Sequence, residues 1–175
     1  MIDPTPIRYS IGSCSLGSVL VAATDAGICA IELGDSPEEA IEHLVRRFPD
    51  RPCERDDAAL AEWLAAVVGT IDGRRPWLDA PLDFQGTPFQ RRVWERLCAI
   101  PVGATATYSS LARELGDPDA LRAVAGACAA NPLAVIIPCH RVLRSDGGLG
   151  GYRWGIERKR ALLLREGALG ELMFE

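Results

Sequence analysis

The residue types with the clearest chemical potential stand side by side at Cys139, His140 and Arg141. They follow a short apolar run at residues 133–137 and then Pro138, a pattern that predicts a buried strand ending in a turn. An imidazole and a guanidinium next to a thiol favour the thiolate, which is the nucleophilic form of cysteine. The sequence therefore predicts a reactive thiol on a turn, although a cysteine after a strand is more often an inert core residue.

The other five cysteines lie in apolar or unremarkable stretches and form no Cys-x-x-Cys pair. A zinc site built from Cys14, Cys29 and His43 has no supporting spacing. The chain is long enough to bury a core, and its polar start does not resemble a secretory signal, so a disulfide framework is not expected. We expect free thiols, no metal and no cofactor, in a cytoplasmic protein.

A glycine-rich loop at residues 145–152 follows the predicted turn. It lacks the Lys-Ser or Lys-Thr ending of a phosphate-binding loop, which argues against nucleoside triphosphate binding. Such a loop can wrap closely around a planar ligand or serve as a flexible connector. The sequence leaves both interpretations open.

The elements in the first half of the chain predict a small α/β domain. Apolar segments at residues 7–11, 18–24 and 28–33, separated by glycine-containing turns, predict an antiparallel meander. Ser36, followed by proline and glutamate, predicts a capped helix that ends at Pro49.

A second helix is predicted at residues 57–70, after a polar loop at residues 53–57. The stretch at residues 73–86 is rich in proline and glycine and predicts a linker. The boundary placed there divides the chain into an N-terminal α/β domain at residues 1–83 and a mainly helical domain at residues 84–175.

The second domain is expected to contain a pair of DNA-binding helices. A capping box at Thr87 begins its first helix. Two short helices at residues 108–115 and 117–130, separated by a glycine-containing turn, have the spacing of a helix-turn-helix. The second of them carries small side chains apart from Arg122, and a groove-binding surface and tight helix–helix packing explain this equally. A last helix is predicted at residues 156–166.

Charge is distributed unevenly along the chain, whose net charge is −5. Residues 1–84 hold 7 Arg and 15 Asp and Glu, whereas residues 85–165 hold 12 Arg and Lys and 6 Asp and Glu. An acidic half joined to a basic half suggests nucleic-acid contact. A bias toward arginine, 18 Arg against one Lys, explains the same counts. No apolar run reaches the roughly 18 residues of a membrane span, so no membrane partner is expected.

Six segments together carry a resemblance to a known family. Ile-Pro-Cys-His-Arg-Val at residues 137–142 matches the active-site signature of the O6-alkylguanine-DNA alkyltransferases. The other matching segments are Gly-Thr-Pro-Phe-Gln at 86–90, Tyr-Ser-Ser-Leu-Ala at 108–112, Arg-Ala-Val at 122–124, Ala-Asn-Pro at 130–132 and Gly-Tyr-Arg-Trp-Gly at 151–155. The chain resembles this family, the methylated-DNA–protein-cysteine methyltransferases, over residues 84–167, and is especially similar to the C-terminal domain of bacterial Ada proteins.

The resemblance implies direct-reversal DNA repair in a single turnover. One alkyl group would pass from O6-alkylguanine, or from O4-methylthymine, in duplex DNA to Cys139. His140 would act as general base through a water, with Glu166 orienting it. Asn131 would tie the recognition helix to the active-site turn, and Tyr108 would help to rotate the nucleotide and donate a hydrogen bond to the leaving guanine.

The same resemblance implies a DNA interface and a substrate pocket. The helix-turn-helix would bind the minor groove of DNA as a monomer, with Arg122 filling the space left by a flipped base. The predicted DNA-contacting residues are Arg122, Ala123, Tyr108, Ser109 and Arg141, and the predicted pocket residues are Val142, Tyr152, Arg153 and Trp154. From the volume of its indole, Trp154 predicts a narrow pocket that prefers methyl over benzyl adducts.

Three other functions are set beside this one. A non-enzymatic damage sensor of the alkyltransferase-like kind would lack the cysteine that this chain retains. A hydrolase using Cys139, His140 and Glu166 would turn over catalytically and would leave the basic helix pair without a purpose. A purely transcriptional regulator of the Ada kind would be expected to carry further N-terminal modules, including a zinc-bound cysteine cluster.

Overall fold

The structure, a computed structural model, describes residues 5–75 and 79–168, and the chain forms two compact units. The first unit comprises Met1–Gln85 together with Pro132–Ile136, and the second comprises Gly86–Asn131 and Ile137–Glu175. Six α-helices and two small sheets lie within the described residues, so the expected mixed α/β class is confirmed.

The first unit is built on a four-stranded sheet of order β3-β2-β1-β4. Its strands are β1 (Ile7–Cys14), β2 (Gly17–Thr24), β3 (Gly27–Gly34) and β4 (Cys53–Arg55). The first three form an antiparallel meander, as predicted. The loop predicted around residue 53 is wrong, because β4 pairs in parallel with β1. The three residues of this edge strand, one half-buried and two exposed, show no hydrophobic alternation, so only pairing with the neighbouring strand defines the element.

Two helices of the first unit pack on this sheet. α1 (Pro37–Arg47) begins at the predicted N-cap, where the Ser36 hydroxyl accepts the Glu39 backbone N–H at 3.2 Å. α2 (Asp57–Ile71) is capped in the same way by Asp56. The strands supply most of the core, and every residue of β3 is buried. One cluster between α1 and the sheet consists of Ile7, Leu20, Ala22, Cys29, Ala30, Ala40 and Leu44.

The second unit is helical around a two-stranded parallel pair. Its helices are α3 (Pro88–Cys98), α4 (Tyr108–Glu114), α5 (Leu121–Ala129) and α6 (Ile156–Arg165), and its strands are β5 (Ala106–Thr107) and β6 (Val142–Leu143). The capping box at Thr87 is confirmed. In the packing of α3 against α5, the Trp94 indole N–H donates to the Ala127 carbonyl at 2.8 Å. Among the described residues, no helix is long and apolar enough to cross a bilayer.

The apolar run at residues 133–137 is not the predicted strand. Leu133 makes a single isolated bridge to Ile31, and a turn follows in which the Ile136 N–H donates to the Ala134 carbonyl. Val135 in that turn has φ 68°, a left-handed conformation that is costly for a β-branched residue. Continuous apolar residues indicate burial, and here burial is achieved by a turn rather than by a sheet.

Candidate active site

Cys139 lies at the start of a single 3-10 turn, Cys139–Arg141, and only 4% of its surface is exposed. The side-chain amide of Asn131 donates to Cys139 Sγ at 3.2 Å and to the Ile137 carbonyl at 2.7 Å. Asn131 is fully buried and stands two residues after the end of α5. One amide group therefore connects the end of this helix to the thiol and to the backbone that presents it.

The charges that act on Cys139 differ from those predicted. Burial raises the pKa of the Cys139 thiol, whereas the Asn131 hydrogen bond and the positive charges of Lys159 and Arg153 lower it. The sequence predicted this influence for His140 and Arg141. In the structure both of these side chains are instead bound to the carboxylate of Glu166.

His140, Arg141 and Glu166 form one hydrogen-bonded group. His140 Nε2 lies 2.9 Å from Glu166 Oε1, and Arg141 donates to both oxygens of the same carboxylate, at 3.0 and 2.9 Å. Arg141 Nη1 also donates to the Ile100 carbonyl at 2.7 Å. Although burial acts against ionisation, the hydrogen bonds from His140 and Arg141 lower the pKa of Glu166 to about 2, so that the carboxylate is charged at neutral pH.

The charge of Glu166 determines which nitrogen of His140 carries the proton. Burial lowers the pKa of His140, although the hydrogen bond to Glu166 acts in the opposite direction, so the ring is neutral at neutral pH. A carboxylate only accepts hydrogen bonds, so Nε2 carries the proton and Nδ1 has a free lone pair. Among the described residues, the buried atoms His140 Nδ1 and Tyr152 Oη have no hydrogen-bond partner. Because buried polar groups are normally paired, these two atoms are available to a bound water or ligand.

A cleft of about 640 Å³ in the second unit includes Cys139 in its wall. This volume is in the range of small-molecule sites. The lining consists of Tyr108, Ala125, Cys128, Ala129, Cys139, Arg144, Gly150, Gly151, Tyr152 and Arg153. Tyr152, the last residue of the glycine-rich loop, and Arg153, which follows it, therefore lie in the wall of this cleft.

Val142 and Trp154, which were also predicted to form the pocket, are not part of this lining. Val142 is fully buried in β6, and Trp154 is 2% exposed, with its ring packed edge-on against Tyr152 at a centroid distance of 5.4 Å. Trp154 therefore supports the wall from behind, and its volume does not directly narrow the cleft. The volume of the indole therefore gives no reason to expect a preference for methyl over benzyl adducts.

The helix α5 presents a surface of small residues. Its exposed positions include Ala123, Ala125, Gly126 and Ala129, with Arg122 exposed near the first turn. Val124, Ala127 and Cys128 are buried. The buried face of α5 therefore agrees with the interpretation of tight helix packing. Its exposed face of small residues agrees with the interpretation of a groove-binding surface.

The remaining predicted DNA-contacting residues have different surroundings. Tyr108 and Ser109 are the first two residues of α4, and both are half-buried. Arg141 has 12% of its side chain exposed, and its guanidinium is bound to Glu166 and Ile100. These contacts favour an internal role for Arg141 over contact with phosphate. Within the described ranges, no group of three or more His, Cys, Asp or Glu side chains is placed to hold a metal ion.

Sequence reasoning missed two side chains near the thiol, Lys159 and Cys128. Cys128 shares the cleft wall with Cys139, and Lys159 is fully buried on α6. The signal for Lys159 was present, because the single lysine of the chain stands three residues before Leu162, which shares the buried face of this helix. For Cys128 the sequence carried no such signal.

Comparison with known proteins relates the chain to one family. Residues 88–168 match the family model of the 6-O-methylguanine DNA methyltransferase DNA-binding domain. The regulatory protein Ada of Salmonella typhimurium is 49% identical over 94% of this chain, and the bifunctional transcriptional activator and DNA repair enzyme Ada of Escherichia coli is 48% identical over 91%. The chain spans about half the length of these two proteins, 46% and 45%. The inducible methylated-DNA–protein-cysteine methyltransferase of Bacillus subtilis is 38% identical, and the match covers 82% of this chain and 80% of that protein.

A solved structure agrees with these sequence matches. The crystal structure of the Mycobacterium tuberculosis protein OGT in complex with DNA has a TM-score of 0.76 at 32% identity. The match covers 92% of this chain and 93% of the OGT chain. The similarity therefore extends over both units of the fold.

Proposed function

The chain belongs to the 6-O-methylguanine DNA methyltransferase family, and on that basis we propose that it repairs alkylated DNA by moving the alkyl group onto its own Cys139. The substrate is O6-alkylguanine in duplex DNA, with O4-methylthymine as a second substrate. The observation that carries the proposal is the position of Cys139 in the cleft wall. Its Sγ accepts a hydrogen bond from Asn131, and the next residue of its turn, His140, is hydrogen-bonded to Glu166.

The reaction requires a soft nucleophile and a route for one proton. A methyl carbon on an aryl ether oxygen is a poor electrophile, for which a polarisable thiolate is suited. His140 Nδ1 removes the thiol proton through a bridging water, and Glu166 holds the ring in the required tautomer. The S–C bond then forms as the C–O bond breaks, and the electron pair remains on guanine O6. Because a thioether is a stable product, each molecule acts once.

The leaving guanine needs a donor, and Tyr108 is suited to this role. Its side chain lines the cleft, and burial raises its pKa to about 12, so the phenol keeps its proton at neutral pH. Hydrogen bonding to the departing base lowers the barrier because it stabilises the negative charge that develops on guanine as the C–O bond breaks.

The target oxygen lies inside paired DNA, so the nucleotide must be extruded at a cost of a few kcal/mol. We propose that α4 and α5 act as the helix-turn-helix, with the small-residue face of α5, including Ala123, in the minor groove. Arg122 is exposed near the start of α5, where its side chain can occupy the space of the flipped base. Ser109 at the start of α4 is the proposed contact from the first helix of the pair.

The domain from residue 84 onward would then contain the complete transfer machinery. Asn131 serves as a positioning residue, since its amide joins the end of α5 to the thiol. Tyr152 and Arg153 form part of the cleft wall that receives the base, with Trp154 packed behind Tyr152. Arg141 acts on Glu166 rather than on DNA.

Intact-protein mass spectrometry after mixing with a duplex that contains O6-methylguanine tests this proposal. The wild-type protein should gain the mass of one CH2 group per molecule, and Cys139→Ser should gain none. Cys98→Ser is the matched control, because Cys98 is an exposed thiol of the same unit and should not affect the gain. An unchanged mass, or many lesions repaired per molecule, would contradict the proposal, and the latter result would favour the hydrolase-like alternative.

A further inference from the structure

Lys159 is a charged side chain in an unusual place. It is fully buried on α6, and lysine is almost never fully buried without a partner. Its Nζ donates to the Val142 carbonyl at 2.6 Å and to the Gly151 carbonyl at 3.1 Å. It also lies 5.9 Å from the centre of the Tyr108 ring, within the range of a cation–π contact.

We propose that Lys159 is a positioning residue for the alkyl transfer, whose buried ammonium group favours the thiolate of Cys139 and holds together two backbone segments beside it. This inference rests on the proposed function and assigns a further residue to it. Val142 directly follows the turn that begins with Cys139, and Gly151 belongs to the cleft wall. The two hydrogen bonds of Lys159 therefore join the segment that carries the nucleophile to the loop that faces it.

The charged groups around Cys139 Sγ determine how readily the thiolate forms. Among the described residues, the titratable or charged side chains that interact with Cys139 are Lys159 from α6, Arg153 from the loop, Tyr108 from α4, Cys128 from α5 and Tyr152, whose Oη is buried. Burial raises the pKa values of Tyr108 and Cys128 to about 12 and raises the pKa of Tyr152 well above its ordinary value, so these three groups are neutral. Positive charge at the sulfur therefore comes from Lys159 and Arg153.

These two cations are held differently. Arg153 donates to the Asn131 carbonyl at 2.9 Å and stacks over the Trp154 ring, and its side chain is half-buried, so solvent screens part of its charge. Lys159 is excluded from solvent, and a charge in such surroundings acts more strongly on its neighbours. Burial lowers the pKa of Lys159 to about 8, whereas Cys139 acts to raise it, which is the reciprocal effect expected of an interacting pair.

A purely structural role would not require this charge. An apolar side chain of similar length would fill the volume without the desolvation cost of an ammonium group, and such replacements are often neutral for stability. The cost is offset here by the two carbonyl acceptors, and the charge then acts on Cys139 when its thiol loses the proton. The charge and the hydrogen bonds can be separated experimentally, because glutamine keeps a donor and removes the charge.

The experiment follows the carbamidomethylation of Cys139 by iodoacetamide, measured by peptide mass mapping over a range of pH and without DNA. Lys159→Gln should react about tenfold more slowly than wild type at neutral pH, with a profile moved upward by about one pH unit and the same plateau rate at high pH. Arg160→Gln is the matched control, since it removes one positive charge from the same helix at an exposed pair with Glu157. It should retain the wild-type profile.

Three results would overturn the inference: an unchanged profile for Lys159→Gln, a rate lowered equally at every pH, or a wild-type Cys139 that does not react at any pH. Lys159→Met is the second variant, which keeps the packing if glutamine prevents folding, and the same expectations apply to it. The transfer from methylated duplex to wild-type protein is measured separately. Failure of that transfer would contradict the proposed function, whereas an unshifted thiol profile contradicts only the role of Lys159.

Discussion

Arg141 and Glu166 form a two-point ion pair in which Nε lies 3.0 Å from Oε2 and Nη2 lies 2.9 Å from Oε1. Both side chains are nearly buried, with 12% and 10% of their surfaces exposed. The planar guanidinium therefore fixes the carboxylate that in turn holds His140 at 2.9 Å. Arg141 is thus connected to His140, the neighbour of Cys139, through the carboxylate of Glu166.

Arg141→Ala should destabilise the protein by about 3 kcal/mol, because it leaves the buried carboxylate of Glu166 with only His140 as partner. Urea unfolding measures this change in free energy. Arg160→Ala, which breaks an exposed ion pair on α6, should cost less than about 1 kcal/mol. Equal losses for the two variants would contradict an internal role for Arg141.

Glu166 should make stability depend on acid pH. Its pKa is about 2 in the folded protein against an ordinary value of 4.5, so its stabilising effect is complete above about pH 4.5 and is lost as pH falls through about 2. Glu166→Gln should therefore be less stable than wild type at neutral pH, with the difference narrowing over that window. Unfolding midpoints at a series of pH values test this, and a difference that stays constant down to about pH 2 would contradict it.

Asn131→Ala should affect both the thiol and the fold. Without the donated hydrogen bond the pKa of Cys139 rises, and alkylation at neutral pH should slow by about tenfold for each unit of rise. The buried Ile137 carbonyl also loses a partner, at a cost of about 1–3 kcal/mol. Repair rates and urea unfolding measure the two effects, and an unchanged rate at neutral pH would remove Asn131 from the site.

Arg122→Ala should distinguish base extrusion from chemistry. If Arg122 fills the vacated space in the duplex, the variant should repair duplex DNA at least about tenfold more slowly, a loss of about 1.4 kcal/mol in the transition state, and react normally with free O6-benzylguanine. Arg46→Ala is the control, because it removes an equal charge from an exposed position on α1. Equal losses on duplex and free base would contradict the assigned role.

Local signals in the sequence predicted much of the fold. The N-caps Ser36 and Thr87 and the strands of the meander depend on neighbouring residues, and these predictions are confirmed. β4 and the turn at Val135 depend on backbone pairing with distant segments, which residue periodicity does not record.

The site was predictable to a different extent. The resemblance identified Cys139, His140 and Glu166, and the structure brings His140 and Glu166 together across 26 residues. The source of positive charge was not predictable, because adjacency in sequence does not give the direction of side chains in a 3-10 turn. Arg141 therefore faces Glu166. The positive charge of Lys159, which stands 20 residues after Cys139 in the sequence, acts to lower the pKa of the thiol.

The burial of the single lysine has an electrostatic consequence outside the cleft. Every other basic side chain apart from the two histidines is an arginine, whose guanidinium keeps its charge throughout the alkaline range in which a double helix stays paired. In the proposed complex with DNA, the attraction of phosphates to these arginine side chains is therefore the same in weak base as at neutrality. A change in repair rate at alkaline pH would consequently reflect the ionisation of buried groups rather than a change in the affinity for DNA.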